Sequence, residues 1–202
     1  MILPSSTIRT IIETVGAIIP VTEERLNDIE GNAYDLTLDE ILMIKGKPYD
    51  QPALPSCYVE GPPPKPRVFI GINKRRIPIQ QTVAWRENED MNWEATCDPG
   101  IPYLFKTCET ISLPVGVDAE VIPRSSIFRA GGIVAGTWTP HGYTGNLFIH
   151  FSIPQHGHPI TFERGARFAA LKFHRVDNGV SQAYTGIWSG DKSHTDGEER
   201  AF

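Results

Sequence analysis

The segment Asn146–Ile153 is the strongest constraint on what this chain can fold into. Leu147, Ile149, Phe151 and Ile153 alternate with Phe148, His150 and Ser152. A period of two sends the first set to one face of a strand and the second to the other. Further strands are predicted at Asn32–Leu38, Arg67–Ile72, Ile77–Trp85, Tyr103–Cys108, Ala119–Pro123, Ile160–Glu163 and Arg167–Arg175. They are punctuated by Asp98-Pro99-Gly100, Pro114-Val115-Gly116, Gly131-Gly132 and Arg164-Gly165. Short strands separated by turns at this density read as a barrel or sandwich. Gly (18) and Pro (17) argue the same way, because a helix interior loses roughly 1 kcal/mol per Gly and 3 per Pro. The one helix predicted is N-terminal. Ile8, Ile11, Ile12 and Val15 share a helical face, Ser5 and Ser6 are placed to cap it, and Gly16 stops it.

A chain of 202 residues suits one domain with a sizeable core, so residues 1–202 are read as a single domain. Six prolines between Gln51 and Pro66 mark an extended excursion, and no second core is visible beside it. The polar tail from Ser189 to Phe202 is expected to be mobile unless a ligand orders it. Net charge is −5, which disfavours a nucleic-acid partner while allowing a local anion site. Cys57, Cys97 and Cys108 form no CxxC pair, so neither a disulfide framework nor a zinc site is readable. No apolar run approaches the roughly 18 residues of a membrane span, and no signal peptide is visible. The expectation is a cytoplasmic protein without a membrane partner.

Chemistry concentrates after a predicted strand, in Pro123-Arg124-Ser125-Ser126-Ile127-Phe128-Arg129-Ala130-Gly131-Gly132. If the serines open a helical turn, their hydroxyls and the first backbone N–H groups converge on an anion. Arg124 and Arg129 can add bidentate contacts to phosphate oxygens. The plainer alternative is an ordinary turn carrying surface arginines. In Trp138-Thr139-Pro140-His141-Gly142-Tyr143-Thr144-Gly145, Tyr143 can stack on a sugar or base, or simply close a barrel end. Arg164–Phe173 reads as a turn and a core strand. His156-Gly157-His158 lacks a Cys or His partner at ligand spacing, which leaves zinc unsupported.

The order of these motifs carries a resemblance. PRSS (residues 123–126) precedes Arg129 and Gly131. The Pro140–Gly145 turn then enters a strand, and Gly165, Arg167, Ala169, Leu171 and Phe173 follow as GxRxAxLxF. Together they resemble the trimeric dUTPase and dCTP deaminase superfamily. The Ile8 helix, the segment Asn32–Leu38 and Thr107–Pro114 are similar to the dCTP deaminase branch. Ala183-Tyr184-Thr185-Gly186 is similar to a C-terminal segment of bifunctional deaminase–dUTPases. The similarity covers most of the chain outside about residues 45–95. It implies an all-β fold, a distorted jelly-roll barrel with a short N-terminal helix, assembled as a homotrimer with active sites at subunit interfaces. It also implies a deoxynucleoside triphosphate bound by Arg124, Ser125, Ser126 and Arg129. Ala135, Gly136, Thr139 and Tyr143 would line the base and sugar pocket, and Gln182 and Tyr184 would belong to a C-terminal lid. Mg²⁺ would accompany the triphosphate rather than bind the protein directly.

The chain departs from the superfamily where water is activated. His150 stands where the deaminases carry a glutamate, Thr139 where the turn aspartate is expected, and His141 is an added residue. Histidine titrates near neutrality and can serve as general base or acid, so His150 or His141, with Arg124 beside the phosphates, forms the candidate catalytic set. The alternatives are a pocket histidine and a solvated loop histidine. Three readings stay open: hydrolytic deamination of dCTP or a modified dCTP, diphosphatase chemistry of the dUTPase type releasing pyrophosphate, and a catalytically inactive nucleotide-binding or regulatory trimer.

Overall fold

Strands dominate the chain in a computed structural model that describes residues 1–27, 29, 31–45, 69–70, 75–76, 79–176, 183–184 and 198–199. The proline-rich stretch 51–66, Gln182 and most of the 189–202 tail lie outside the described residues. Helix α1 (Ser5–Val15) is followed by β1 (Ile18–Ile19), α2 (Glu23–Asn27) and β2 (Ala33–Lys45). Four short strands come next: β3 (Phe69–Ile70), β4 (Arg75–Arg76), β5 (Ile79–Thr82) and β6 (Arg86–Glu87). The barrel staves are β7 (Trp93–Cys97), β8 (Pro102–Ser112) and β9 (Val117–Pro123), then α3 (Ser125–Arg129), β10 (Ile133–Val134) and β11 (Trp138–Thr139). The chain continues through β12 (Thr144–Ser152), β13 (Ile160–Glu163), β14 (Arg167–Arg175) and β15 (Glu198–Glu199).

The main sheet runs β10-β12-β8-β2-β14-β9-β11, with β1 added on β8 and β5 on β2. Strand β2 joins its two halves. Residues Ala33 to Thr37 pair with β14, whereas Leu38 to Met43 pair with β8. The register shifts between Leu38 and Glu40, and a bulge of this kind bends a strand and reverses its alternation. That is why the sequence pattern breaks after Leu38 although the strand continues to Lys45. The smaller β13-β7-β6 sheet covers the sheet's open side. Phe162 of β13 meets Phe105 and Phe151 edge-on, at 5.0 and 5.2 Å between ring centroids. Phe168 closes the cluster against Phe105 at 5.4 Å. The result is the curled, jelly-roll-like barrel expected from the sequence.

Three local expectations need correction. Pro4, in an extended conformation, is the N-cap of α1, and no side chain caps it, so Ser5 and Ser6 lie inside the helix. The stop at Gly16 holds: its φ is 66°, and its N–H donates to Ile12 O at 3.1 Å. Ile8 and Ile12 are buried and Ile11 packs on the core, but Val15 faces solvent. Strand β5 ends at Thr82, short of Trp85. Strand β7 was not anticipated, because its inward residues Ala95 and Cys97 are small and give a weak apolar alternation.

Candidate functional site

Strand β9 ends at Pro123, and Arg124 continues extended (φ −78°, ψ 143°) before the chain tightens into the single turn α3. Ile127 is buried and anchors this turn, which leaves Ser125, Ser126 and Arg129 exposed. The N–H groups of Ile127 and Phe128 both point to Arg124 O, so those of Ser125 and Ser126 precede the first intrahelical donor. The Arg124 guanidinium donates to the Asp35 carboxylate of β2. Arg167 of β14 approaches the same oxygen at 3.4 Å. Ala170 and Ala169 lie opposite Asp35 and Pro123 respectively, so the acid and its partner Arg124 meet across β14. One carboxylate thus holds two guanidiniums beside the serine turn.

A second group of predicted residues lies along β10, β11 and β12 and in the turn between β11 and β12. Ala135 N–H donates to His150 O at 3.0 Å, which brings the predicted base-pocket backbone beside His150. His150 shares the outward face of β12 with Phe148 and Ser152, as the alternation required. Gly136 passes so close to β9 that a Cβ would sit 2.8 Å from Val121 O. Thr139 is buried in β11 opposite Ala119. In the turn between β11 and β12, Tyr143 is buried and donates its hydroxyl to Asn146 O at 2.6 Å. Tyr184 packs its ring on Tyr143 with centroids 6.0 Å apart, and its N–H donates to His141 O at 2.9 Å. Gly142 permits this contact. Its φ is +79°, and a Cβ there would lie 2.5 Å from Ala183 Cβ.

His141 is not a solvated loop residue. Its backbone N–H donates to Asp118 Oδ1 at 2.6 Å, and its Nδ1 lies 2.9 Å from the same oxygen. Asp118, Asp35 and Arg167 were not anticipated as site residues. Asp118 was missed because β9 was expected to start at Ala119, which left the aspartate looking like a turn residue. Asp35 sat inside a segment similar to the deaminases but had no role attached to it. No sequence spacing links either acid to its partner, since both contacts are made across strands. Along β9, Asp118 and Arg124 are separated by roughly 20 Å at about 3.3 Å per residue. The β11–β12 turn and the serine turn of one chain therefore form two separate clusters.

Among the described residues no group of three or more His, Cys, Asp or Glu side chains is positioned to hold a metal ion. No helix of the described residues is long and apolar enough to cross a membrane.

A family model described as dCTP deaminase-like matches residues 2–176. Over 110 residues the chain is 33% identical to a dCTP deaminase of Metallosphaera sedula, a span of 54% of this chain and 60% of that one. Over 90 residues it is 34% identical to a dUMP-forming dCTP deaminase of Aquifex aeolicus, covering 44% and 49% of the two chains. The matched part thus spans between half and three-fifths of these relatives' length. The crystal structure of a 2′-deoxycytidine 5′-triphosphate deaminase from Agrobacterium tumefaciens superposes with a TM-score of 0.57 at 18% identity. That match covers 87% of this chain and 48% of the other, and at such identity it is a likeness of fold.

Proposed function

The chain belongs to the dCTP deaminase-like family, and on that premise we propose that it hydrolyses a pyrimidine deoxynucleoside triphosphate, releasing the amino group of dCTP or a modified dCTP. The observation that carries this reading is the exposed serine turn flanked by guanidiniums. Ser125, Ser126 and Arg129 are open to solvent, and Arg124 is already oriented by Asp35. Hydroxyls, unengaged helix-start N–H groups and two cations suit a chain of phosphates. The base lies against the backbone of Ala135 and Gly136. Thr139 and Tyr143 border the sugar, and Tyr184 closes over it. Mg²⁺ spreads the charge of the phosphates when it arrives on them. Their hard oxygens suit it as ligands, and guanidiniums do not compete for it, so the residues fit a metal brought by the nucleotide.

In the deamination, the water oxygen bonds to the cytosine C4 and the C4–N4 bond breaks. One water proton passes to ring N3 and the other to the departing amine, leaving a C4 carbonyl and ammonia. We assign these transfers to His150, whose backbone carbonyl accepts from Ala135 N–H at the base end. A second reading is favoured by the His141–Asp118 contact at the sugar end. There the water oxygen bonds to the α-phosphorus, the bond to the β-phosphate bridge breaks, and pyrophosphate leaves as His141 takes the water proton. The Aquifex aeolicus relative is named as dUMP-forming, which fits both steps occurring on one chain.

The two clusters at opposite ends of β9 suit a homotrimer, in which one subunit's β11–β12 turn faces another's serine turn. The exposed Phe128, Ile133 and Trp138 supply apolar surface for such contacts. The test is a panel of dCTP, dUTP and 5-substituted dCTPs, with ammonia and pyrophosphate measured separately and sedimentation alongside. Ammonia release by a species three times the 22.5 kDa chain is expected. Pyrophosphate without ammonia would favour the second reading. Tight binding with neither product would make the protein a nucleotide-binding trimer.

A further inference from the structure

We propose that the base end of the site takes a cytosine bearing an apolar substituent at C5, with 5-methyl-dCTP as substrate and dTTP and ammonia as products. This rests on the reading above in which His150 serves deamination, and it names the substituent for which that end is shaped. Where β12 pairs with β8, His150 lies directly opposite Leu104. Opposed residues of an antiparallel pair share a face, with Cβ atoms about 5 Å apart. Leu104 in turn is opposite Leu42 of β2. A row His150–Leu104–Leu42 therefore crosses the outer side of the sheet, while Tyr103, Phe105, Ile149 and Phe151 fill the inner side.

An outer face that meets water ordinarily carries polar side chains. Here Leu42 is fully buried, and Leu104 and Phe148 are half-buried. On the other flank of β12 the chain leaves β10 at Ala135, a small, exposed residue whose N–H donates to His150 O at 3.0 Å. His150 is thus bordered by Leu104 on one side, by Ala135 on the other and by Phe148 along its own strand. Ser152 supplies the hydroxyl among these neighbours. In cytosine, C5 is bonded to C4, the atom that loses the amine, so a group on C5 projects beside the reacting centre and meets the residues bordering His150. A methyl there covers apolar surface that a hydrogen leaves open, whereas a hydroxymethyl brings an oxygen that needs a partner. The reaction balances as before: the water oxygen becomes the C4 carbonyl, the amine leaves as ammonia, and the untouched methyl makes the product a thymine nucleotide.

The full chain is tested with dCTP, 5-methyl-dCTP and 5-hydroxymethyl-dCTP, measuring ammonia and identifying the nucleotide product by chromatography. The wild-type kcat/KM for 5-methyl-dCTP is expected to exceed that for dCTP at least about tenfold, with 5-hydroxymethyl-dCTP below 5-methyl-dCTP. Leu104→Thr should cut the methyl preference at least about fivefold, because it replaces part of the apolar border with a hydroxyl. Ala135→Val narrows the other flank and should slow 5-methyl-dCTP more than dCTP. Both variants are read as ratios between substrates, which a general loss of fold or activity does not move. Wild-type values for dCTP and 5-methyl-dCTP within about threefold, or a preference for 5-hydroxymethyl-dCTP, overturn the proposal while leaving deamination standing. So does a Leu104→Thr variant with an unchanged ratio whose assembly dissociates in sedimentation, since the apolar row then belongs to a subunit contact. If the wild type releases ammonia from none of the three, the deamination reading falls by itself, and calorimetric affinities decide the substituent. Binding of 5-methyl-dCTP about tenfold tighter than dCTP keeps it, and equal affinities overturn it. Should Leu104→Thr fail to fold, the wild-type ratio and Ala135→Val still decide.

Discussion

The buried carboxylate of Glu109 accepts the backbone N–H of Thr37 at 3.0 Å, at the residue where β2 leaves its pairing with β14 and turns to β8. A strand that changes partners exposes a backbone donor at the corner, and a buried donor left unpaired is costly. Glu109 occupies a core-facing position of β8 to meet this need, and it also accepts from Thr37 Oγ1 at 2.6 Å. Arg25 of α2 balances its charge at 2.6 Å.

Removing the cation should therefore be worse than removing the charge. The Glu109 side chain is 1% exposed and that of Arg25 24%, so Arg25→Met strands a buried anion, whereas Glu109→Gln leaves a cation that water can reach. We expect Arg25→Met to cost about 3–5 kcal/mol in urea unfolding at pH 7. Glu109→Gln should cost about 1–3 kcal/mol, since the amide oxygen still accepts from Thr37. Equal losses would place the stability in the hydrogen bonds rather than in charge balance.

Tyr34 should make the fold sensitive to alkali. Burial pushes its hydroxyl from the ordinary 10.0 up to about 12, with Glu109 and Asp35 adding to the rise and Arg25 above the ring opposing it. Below pH 10 folded and unfolded chains both keep the proton. Between pH 10 and about 12 the unfolded chain releases it and the folded one retains it, so stability falls as pH rises, by about 2–3 kcal/mol in full. The hydroxyl also has no hydrogen-bond partner among the described residues. Tyr34→Phe should thus equal or exceed the wild type at pH 8, by up to about 1 kcal/mol, and should flatten the alkaline loss. Urea midpoints of the two proteins from pH 8 to 12 check both points.

Gly142 couples the β11–β12 turn to residues 183–184. Alanine there meets a left-handed φ of +79° and a Cβ 2.9 Å from Tyr184 N, so the turn or the docked segment must yield. Gly142→Ala is expected to cost about 1–2 kcal/mol and to speed proteolytic cleavage beyond residue 176. Gly116 also has a positive φ, +87°, but nothing lies within 4 Å of its added Cβ. Gly116→Ala is therefore the control for backbone strain without the clash, and it should leave cleavage at the wild-type rate.

How much of this was legible in the sequence depends on whether a feature is local. The alternation at Leu147–Ile153 set the inward and outward faces of β12 correctly, and the strand limits at Ile160–Glu163 and Arg167–Arg175 matched to the residue, helped by the Arg164-Gly165 turn that separates the two strands. The serine turn was legible for the same reason. What the sequence did not disclose are contacts made across strands. Asp35 with Arg124, Asp118 with His141, and Glu109 with Thr37 join residues far apart in the chain, and register alone brings them together. The long run of β2 was hidden by its bulge, which breaks the periodic signal that a strand is recognised by.

The two arginines of the serine turn should separate binding from stability. Arg129 is exposed on α3, whereas Arg124 is ion-paired to Asp35 across β14. If both meet phosphate, each alanine variant should weaken triphosphate binding by about 2–3 kcal/mol, and the loss should shrink for the corresponding monophosphate. Only Arg124→Ala should also lower the unfolding midpoint, because it leaves Asp35 with Arg167 at 3.4 Å as its remaining cation among these contacts. Arg129→Ala should stay within about 0.5 kcal/mol of wild-type stability. Calorimetric titration with a non-hydrolysable triphosphate, paired with urea unfolding, measures both quantities. Unchanged affinity in Arg129→Ala would move the phosphates away from α3 and toward the Arg124–Asp35–Arg167 cluster.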